Sequence, residues 1–345
     1  MRGSAVFDET RLSDPAALRS VDSALRAVAE WGATVRLADS AAQPGLTVLV
    51  GDPSTRPRAV LAAGPDGRLL RTVLEPVCPV PFVVWPHGGL PGWAGPLDLV
   101  VVLSTTDEGS VQEQSTVAEA VRRGCELVVV CPDDSPLHGL ADGRGTVLAA
   151  RSADALAVSI PALRALHNLG LGPEVSAQEV ADALDRVAER CGPDSPVDAN
   201  PAKELALAVA DCLPVLWGGS PLASRAARRV AEGMRAATGV PAVAGAADQL
   251  EPLLAAAPER DLFADPFDDE AASPGTLPPV LVILDDHAAT PADARDADRL
   301  ARTAQDRQVR VHRVVVDEGP DIARFASLLA LGRFAAVYLG LGQAQ

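Results

Sequence analysis

Short, unbroken runs of β-branched and aliphatic residues recur along this sequence, and they constrain its fold more than any other feature. Polar residues do not alternate with apolar ones inside these runs. Strands of this kind are buried on both faces, as in a parallel sheet that lies between helices. We therefore predict strands at Leu46–Val50, Ala59–Ala62, Phe82–Val84, Leu99–Leu103, Leu127–Val130, Val147–Leu148, Pro214–Trp217, Val280–Leu284 and Val309–Val315.

Patterns with helical spacing lie between many of these runs. An alternation of strands and helices predicts an α/β fold, in which mostly parallel sheets are flanked by helices on both faces. The predicted helices are Leu18–Trp31, Val111–Arg123, Ala155–Leu169, Ala177–Arg190, Pro201–Cys212, Leu222–Thr238, Ala292–Arg307 and Ile322–Leu331, with another that begins near Arg68.

The alternation occurs in two blocks, so the chain of 345 residues is predicted to form two α/β domains. Glycine, proline and aspartate are concentrated at Cys191–Pro201, which we interpret as a linker, and at Phe263–Pro279, which we interpret as a surface loop. The predicted bounds are 1–40 for a helical lead-in, 41–152 for the first domain, 153–200 for inter-domain helices and the linker, and 201–345 for the second domain.

Charge and composition argue against several functional classes. The formal net charge is −16, which repels nucleic acid and anionic membrane surfaces. The five cysteines and five histidines show no metal-binding spacing, so we predict reduced thiols, no metal site and a cytoplasmic location. The acidic N-terminus is unlike a signal peptide, and no apolar run approaches the length of a membrane span, so we expect no membrane association.

Three turns that lead from a strand into a helix are candidate ligand sites. Ligands of parallel sheets bind beyond the carboxyl ends of the strands, where helix N-termini attract phosphate. The first turn contains Gly64 and Gly67, which let the backbone approach a ligand. The second begins with Ser104, Thr105 and Thr106, whose hydroxyls can bind phosphate oxygens.

Each turn also has a structural interpretation that the sequence leaves open. The glycine turn can be a simple connection from strand to helix, and the hydroxyls that follow Leu103 can bond to local backbone. The third turn, Gly218-Gly219-Ser220 before Pro221, favours a helix cap at Ser220 over a ligand site.

Two segments carry a resemblance to a known family. Val80–Gln114 contains "VPFVV" and "LPGWAGPLDLVVVLS", and Asn200–Ala206 reads "NPAKELA" around Lys203, the only lysine in the chain. Both segments resemble bifunctional phosphoglucose/phosphomannose isomerases, which are built from two sugar-isomerase (SIS) domains. The resemblance extends from about Ala59 to Gly340 and implies two SIS-type, flavodoxin-like domains.

The resemblance also implies a function. The family isomerises glucose 6-phosphate or mannose 6-phosphate to fructose 6-phosphate without a cofactor, using a glutamate base and a histidine that helps to open the ring. The first SIS domain binds the sugar phosphate, so the resemblance makes Gly64, Gly67, Ser104 and Thr106 the expected substrate-binding residues. We also expect a homodimer.

The family's catalytic residues are replaced at the matching positions. The resemblance places Ala236 at the glutamate and Pro252 at the histidine, and neither side chain can transfer a proton. Arg151 is a candidate for a shifted family arginine. Glu232, one helical turn before Ala236, is a candidate replacement base, and its alternative role is that of a solvated ion-pair partner.

The expected phosphate-binding turns also contain carboxylate side chains that the family lacks there. Asp66, Asp107 and Glu108 stand where the family has neutral residues, and each carboxylate opposes a phosphate dianion by on the order of 1 kcal/mol or more. We therefore expect an SIS-domain protein that binds carbohydrate derivatives weakly and has lost its catalytic residues. The alternatives are a non-catalytic regulatory or interaction module and an active isomerase with a relocated base.

Overall fold

The computed structural model describes residues 6–49, 51, 56–64, 66–141, 143–257 and 277–343. Of the predicted surface loop, residues 263–276 lie outside this part. The chain forms two compact units, of which one is Trp31–Asp182 and the other combines Met1–Glu30 with Ala183–Gln345. Each unit contains one parallel sheet with helices packed on it, so the predicted α/β class with two sheets is confirmed.

The elements are numbered in chain order. The described strands are β1 (Val60–Ala63), β2 (Phe82–Trp85), β3 (Leu99–Leu103), β4 (Glu126–Cys131), β5 (Gly145–Ala149), β6 (Leu213–Gly218), β7 (Val243–Ala244), β8 (Pro279–Asp285) and β9 (Arg310–Val315). The described α-helices are α1 (Pro15–Ser20), α2 (Asp22–Ala29), α3 (Trp31–Val48), α4 (Gly67–Leu74), α5 (Val111–Arg123), α6 (Pro136–Ala141), α7 (Ala155–Asn168), α8 (Ala177–Cys191), α9 (Pro201–Val209), α10 (Pro221–Thr238), α11 (Ala247–Ala255), α12 (Pro291–Asp306) and α13 (Asp321–Gln343).

The sheet of the first unit has the strand order β2-β1-β3-β4-β5, and all its pairs are parallel. Every residue of β1 and β3 is buried, as the unbroken apolar runs predicted. This order is the flavodoxin-like one, in which the chain crosses from one side of β1 to the other.

The sheet of the second unit has the strand order β7-β6-β8-β9 and is also parallel throughout. Its described strands repeat the order of the first four strands of the first sheet, and β9 stands at the edge of the described sheet. The strand β7 has only two residues, Val243 and Ala244, which is too short for an apolar run to reveal.

One predicted strand is wrong. Residues 46–48 of the run Leu46–Val50 end the helix α3, while Val50 lies outside the described residues. Val35, Ala38, Ala42 and Leu46 recur at helical spacing and are all buried, so the run completes the apolar stripe of a helix.

The predicted lead-in of residues 1–40 is divided between the two units. Its predicted helix Leu18–Trp31 is interrupted at Val21, where α1 ends and α2 follows. The helix α2 packs on α13 in one unit, whereas α3 packs on α7 and β5 in the other.

The last helix is longer than the predicted Ile322–Leu331, because apolar residues continue around it to Gln343. By length and composition α13 is the one described helix that is suited to crossing a membrane. However, 78% of its most apolar 18-residue stretch is buried inside the protein, which is typical of a central helix in a core.

The predicted linker Cys191–Pro201 is held by hydrogen bonds from three buried side chains. The Lys203 Nζ donates to the carbonyl oxygens of Pro193 and Ser195, each at 2.9 Å. The Asn200 Nδ2 donates to the Gly192 oxygen at 3.0 Å, and the Tyr338 hydroxyl donates to the Cys191 oxygen at 2.8 Å. These bonds hold the segment as a turn within the second unit.

The same contacts explain why a lysine stands on the helix α9. Lys203 is 2% exposed, and its ammonium group reaches two carbonyls of the turn while lying 5.4 Å from the centre of the Tyr338 ring. Asn200 caps the helix by accepting from the N–H groups of Ala202 and Lys203. The predicted helix is confirmed, but it ends at Val209 instead of Cys212.

Candidate functional site

The strand order of the first sheet places a topological switch point at the carboxyl ends of β1 and β3. The chain leaves these neighbouring strands toward opposite sides of the sheet, and ligands of open α/β sheets bind at such switch points. The turn after β1 contains Gly64 and Gly67, and the loop after β3 contains Ser104 and Thr106. The structure thus brings all four predicted binding residues to one edge, which we name the first crevice.

Both glycines of the first crevice have structural reasons to be glycine. Gly64 has a φ of +84°, and its N–H donates to the Trp85 oxygen at 3.0 Å. A Cβ at Gly67 would lie 3.0 Å from the Cβ of Ala62, so the start of α4 passes close to β1. The Gly64 N–H is therefore occupied, and in the first turn of α4 the Leu69 N–H donates to the Asp66 oxygen at 3.2 Å. The N–H groups of Gly67 and Arg68 are the donors that this turn can offer.

The hydroxyls of the loop after β3 differ in their availability. Ser104 is buried, and its Oγ donates to the Thr106 oxygen at 3.0 Å. Ser110 caps α5, accepting from the Glu113 N–H at 3.2 Å while the Glu113 carboxylate accepts from the Ser110 N–H at 2.9 Å. Thr106 is exposed, and its hydroxyl has no partner among the described residues. Local bonding thus occupies Ser104 and Ser110 and leaves Thr106 free.

Arg151 follows the edge strand β5 and reaches the loop after β3 across the end of β4. Its Nη1 donates to the Asp107 Oδ1 at 2.7 Å while its Nη2 bonds to Asp134. The hydrogen bond from Arg151 lowers the pKa of the Asp134 carboxyl. The Arg151 guanidinium therefore partly neutralises the negative charge of Asp107 and Asp134. All three side chains are more than half exposed.

Sequence reasoning did not identify Asp134 or His87 at this edge. Asp134 belongs to an acidic pair just after β4, and the carboxyl ends of parallel strands share an edge, so the signal was present. His87 follows β2, and its exposed ring lies edge-on to Trp85 with 5.1 Å between ring centres. The indole N–H of Trp85 is buried without a partner among the described residues.

The matching crevice of the second sheet, between β6 and β8, is filled by its own side chains. The Ser220 Oγ donates to the Asp286 Oδ2 at 2.5 Å and accepts from the Ala223 N–H at 2.9 Å. Asp286 is 2% exposed and also accepts from the Ala288 N–H. A Cβ at Gly219 would lie 2.9 Å from the Asp293 Cβ. Ser220 is thus a helix cap, and this crevice offers a ligand little access.

The candidate base Glu232 lies on α10 in the second unit and forms an ion pair. Its Oε2 accepts from the Arg229 Nη1 at 2.8 Å, and both side chains are more than 40% exposed. Glu232 lies about 16 Å along the helix axis from the start of α10, and therefore from the carboxyl end of β6. Ala236 and Pro252 are both exposed on their helices. Within the described ranges, no three His, Cys, Asp or Glu side chains are grouped to hold a metal ion.

Comparisons with known proteins agree with this fold. Residues 198–344 match the bacterial phospho-glucose isomerase C-terminal SIS domain family, which is less than half of the chain. No curated protein sequence matches.

Several solved structures share the fold at low sequence identity. A tagatose-6-phosphate ketose/aldose isomerase from Escherichia coli has a TM-score of 0.60 at 13% identity, with 94% of this chain and 89% of that chain covered. The C-terminal domain of a glucosamine-fructose-6-phosphate aminotransferase from Francisella tularensis has a TM-score of 0.57 at 10% identity, covering 90% and 95%. A glucose-6-phosphate isomerase like protein from Thermus thermophilus has a TM-score of 0.50 at 16% identity, covering 89% and 90%.

Proposed function

We propose that this chain, a divergent relative of SIS-domain phosphosugar isomerases whose residues 198–344 match a bacterial phosphoglucose isomerase domain, binds a phosphosugar without isomerising it. The observation that carries the proposal is the meeting of the Gly64 turn and the Ser104 loop at the switch point of the first sheet. The five cysteines are free thiols, which suits a reducing cytoplasm.

Binding at the first crevice relies on few donors. The N–H groups of Gly67 and Arg68 at the start of α4 and the free Thr106 hydroxyl are the donors for a phosphate. The start of α5 is already occupied by the Glu113 carboxylate, so a second helix N-terminus adds little. The expected affinity is therefore weak.

The carboxylates of the loop after β3 weaken phosphate binding further, and Arg151 offsets part of their negative charge. In the free protein its guanidinium is shared between Asp107 and Asp134. A phosphate dianion that enters the crevice competes with Asp107 for the same donors. Removing the Asp107 charge frees a donor and removes a repulsion, and both effects favour the ligand.

Catalysis lacks a base at the position that the family resemblance implies. A proton on carbon needs a carboxylate or imidazole within hydrogen-bond reach. Ala236 and Pro252 offer neither, and Glu232 is held by Arg229. Glu251, the remaining acid near Pro252, accepts from the Thr303 hydroxyl at 3.3 Å and lies 3.0 Å from the Arg299 Nε.

Calorimetry with glucose 6-phosphate, mannose 6-phosphate and fructose 6-phosphate tests the binding site. We expect millimolar or weaker affinity for the unchanged protein and tighter binding by the double variant Asp107→Gly/Glu108→Asn. Thr106→Val keeps the side-chain shape and removes the free hydroxyl. Added to the double variant, it is expected to weaken sugar-phosphate binding. Tight binding that none of these substitutions alters would place the ligand elsewhere.

A coupled assay on both hexose 6-phosphates tests the catalytic part separately. We expect no turnover near the usual enzymatic range of about 1–10³ s⁻¹. Turnover in that range would refute the proposed loss of activity, and Glu232→Ala and Glu251→Ala would then show whether either acid is the base. The result of the binding experiment does not depend on the result of this assay.

A further inference from the structure

The edge of the second sheet borders a cleft that the proposed function does not use. The cleft has a volume of about 440 Å³ and lies within the second unit. Residues His312 to Glu318 line it without interruption, and its other walls come from the end of α8, the start of α9 and the helix α13. Four of these residues, from His312 to Val315, are consecutive residues of β9, so the cleft runs along this edge strand.

The first sheet shows what is missing at this position. There β4, the strand equivalent to β9, is paired along its outer edge with five residues of β5 and is almost wholly buried. In the second sheet the chain passes from β9 into α13, and no described strand follows. Val311 and Val315 consequently remain 39% and 51% exposed.

The backbone groups that point toward the open edge can be identified. The Val316 N–H donates to the Asp285 oxygen of β8, so Val316 and Val314 direct their backbone groups into the sheet. Neighbouring residues of a strand direct theirs to opposite sides. Val311, Arg313 and Val315 therefore present their N–H and C=O groups outward, as a template for another strand.

The cleft has side-chain features that suit a bound chain. Its walls include the apolar side chains of Val187 and Leu331. Ser327 is 5% exposed, lines the cleft, and has no hydrogen-bond partner for its hydroxyl among the described residues. The stretch from His312 to Val316 is about 13 Å long, enough for a few residues of an extended peptide.

The charges of the cleft favour a basic occupant. Four carboxylates line it against three guanidiniums, and Arg186 is already paired with Glu318 at 3.3 Å. The remaining charged groups are the carboxylates of Glu189, Glu204 and Asp317 and the guanidiniums of Arg190 and Arg313, so the cleft carries an excess of one negative charge. The whole chain has a formal net charge of −16, which adds long-range attraction for a cation.

We infer that β9 accepts an extended, basic and aliphatic peptide segment of a partner protein as the fifth strand of the second sheet. The peptide backbone pairs with the outward groups of Arg313 and Val315, as in other cases of strand addition. Aliphatic side chains enter the cleft beside Val187 and Leu331, and basic side chains meet its carboxylates.

Fluorescence polarisation with two labelled probe peptides tests this inference on the full chain. One probe alternates valine with lysine, and the other alternates valine with glutamate. We expect the lysine probe to bind and the glutamate probe to bind about tenfold more weakly or not at all, with the difference shrinking at high salt.

A matched pair of variants at one position separates strand pairing from general attraction. Val315→Pro removes the outward N–H of an exposed edge residue and is expected to weaken lysine-probe binding by about tenfold. Val315→Ala keeps the N–H and is expected to stay close to the unchanged protein. Because Val315 belongs to the second unit and the first-crevice residues belong to the first, the sugar-phosphate experiments test a different site.

Three results would overturn the inference. One is failure of the lysine probe to bind at millimolar concentration, and another is equal binding by the Val315→Pro and Val315→Ala variants. The third is a dimer in light scattering that Val315→Pro dissociates, since β9 would then be occupied by a second copy of this chain. Circular dichroism of both variants verifies that each is folded.

Discussion

The ammonium group of Lys203 is buried in an environment made almost entirely of neutral groups. Its hydrogen bonds go to the carbonyls of Pro193 and Ser195, and its other close neighbour is the face of the Tyr338 ring. Burial lowers the pKa of Lys203, and the charge of Asp194 opposes this shift only in part. The residue thus joins a helix to a turn at some electrostatic cost.

The single lysine makes this pKa directly measurable. In protein labelled with ¹³C-lysine, the one Cε resonance is expected to titrate with a midpoint below the ordinary value of 10.5. In urea the same resonance is expected to return to that value, which provides the control. A native midpoint at or above 10.5 would contradict the burial argument.

The sign of the pH effect on stability follows. Because the unfolded chain holds this proton more tightly than the folded chain, losing it favours the folded state. The contribution of Lys203 to stability therefore grows as the pH rises through the lowered pKa and is complete above 10.5.

At the scale of elements, the contact between α10 and α13 forms much of the core of the second unit. Small residues let these two helices approach closely, and Gly332 packs directly against Val230. A Cβ at Gly332 would overlap the Val230 side chain, while a Cβ at Gly233 on the facing helix would meet Ala336 at an ordinary 3.8 Å. The two glycines therefore provide a matched comparison.

We expect Gly332→Ala to lower the free energy of unfolding by about 1–3 kcal/mol, because overpacking outweighs the gain in helix propensity. Gly233→Ala, at the same interface, is expected to be neutral or stabilising by up to about 1 kcal/mol. Urea unfolding measures both.

The double variant Gly332→Ala/Val230→Ala tests the cause. Removing the Val230 methyl groups gives the new Cβ space, so the double variant is expected to be more stable than the sum of the single effects by about 1 kcal/mol. Additive losses would show that the Gly332→Ala penalty comes from some other contact.

The elements also show which sequence signals carry structural information. The buried strands β3 and β8 were predicted closely, because their continuous apolar runs match strands whose two faces are both covered. The same signal failed at Leu46, where an apolar stripe of a helix ends in a local run. The helix α13 was predicted but made too short, because apolar residues surround it and give little periodicity.

The candidate site was predictable only in part, for a related reason. Gly64 and Ser104 were identified because each follows a predicted strand, and parallel strands end at a common edge. The pairing of Arg151 with Asp107 and Asp134 joins three separate connections, and no local pattern indicates it. The filling of the second crevice by Ser220 and Asp286 likewise depends on side chains distant in sequence.

At the scale of the whole molecule, the dominant property is an excess of negative charge. A formal net charge of −16 makes the compact state repel itself, and dissolved salt screens that repulsion. We expect the melting temperature to rise between low and physiological sodium chloride concentrations, on the order of 2 °C.

A neutral osmolyte at the same osmolality is the control for this experiment, since it leaves the charges unscreened. A melting temperature that falls with sodium chloride would mean that attractive pairs such as Arg58 with the buried Asp98 outweigh the net repulsion.

The burial of the only lysine has a consequence for handling this protein. Amine-reactive reagents find no accessible ε-amino group on the described surface of the folded chain, because Lys203 is 2% exposed. Acylation of the Lys203 amine therefore shows that the second unit of that molecule has unfolded enough to expose this side chain. Peptide mapping by mass spectrometry separates this lysine from the α-amino group and therefore gives the fraction of molecules that have opened, with no dye introduced into the protein.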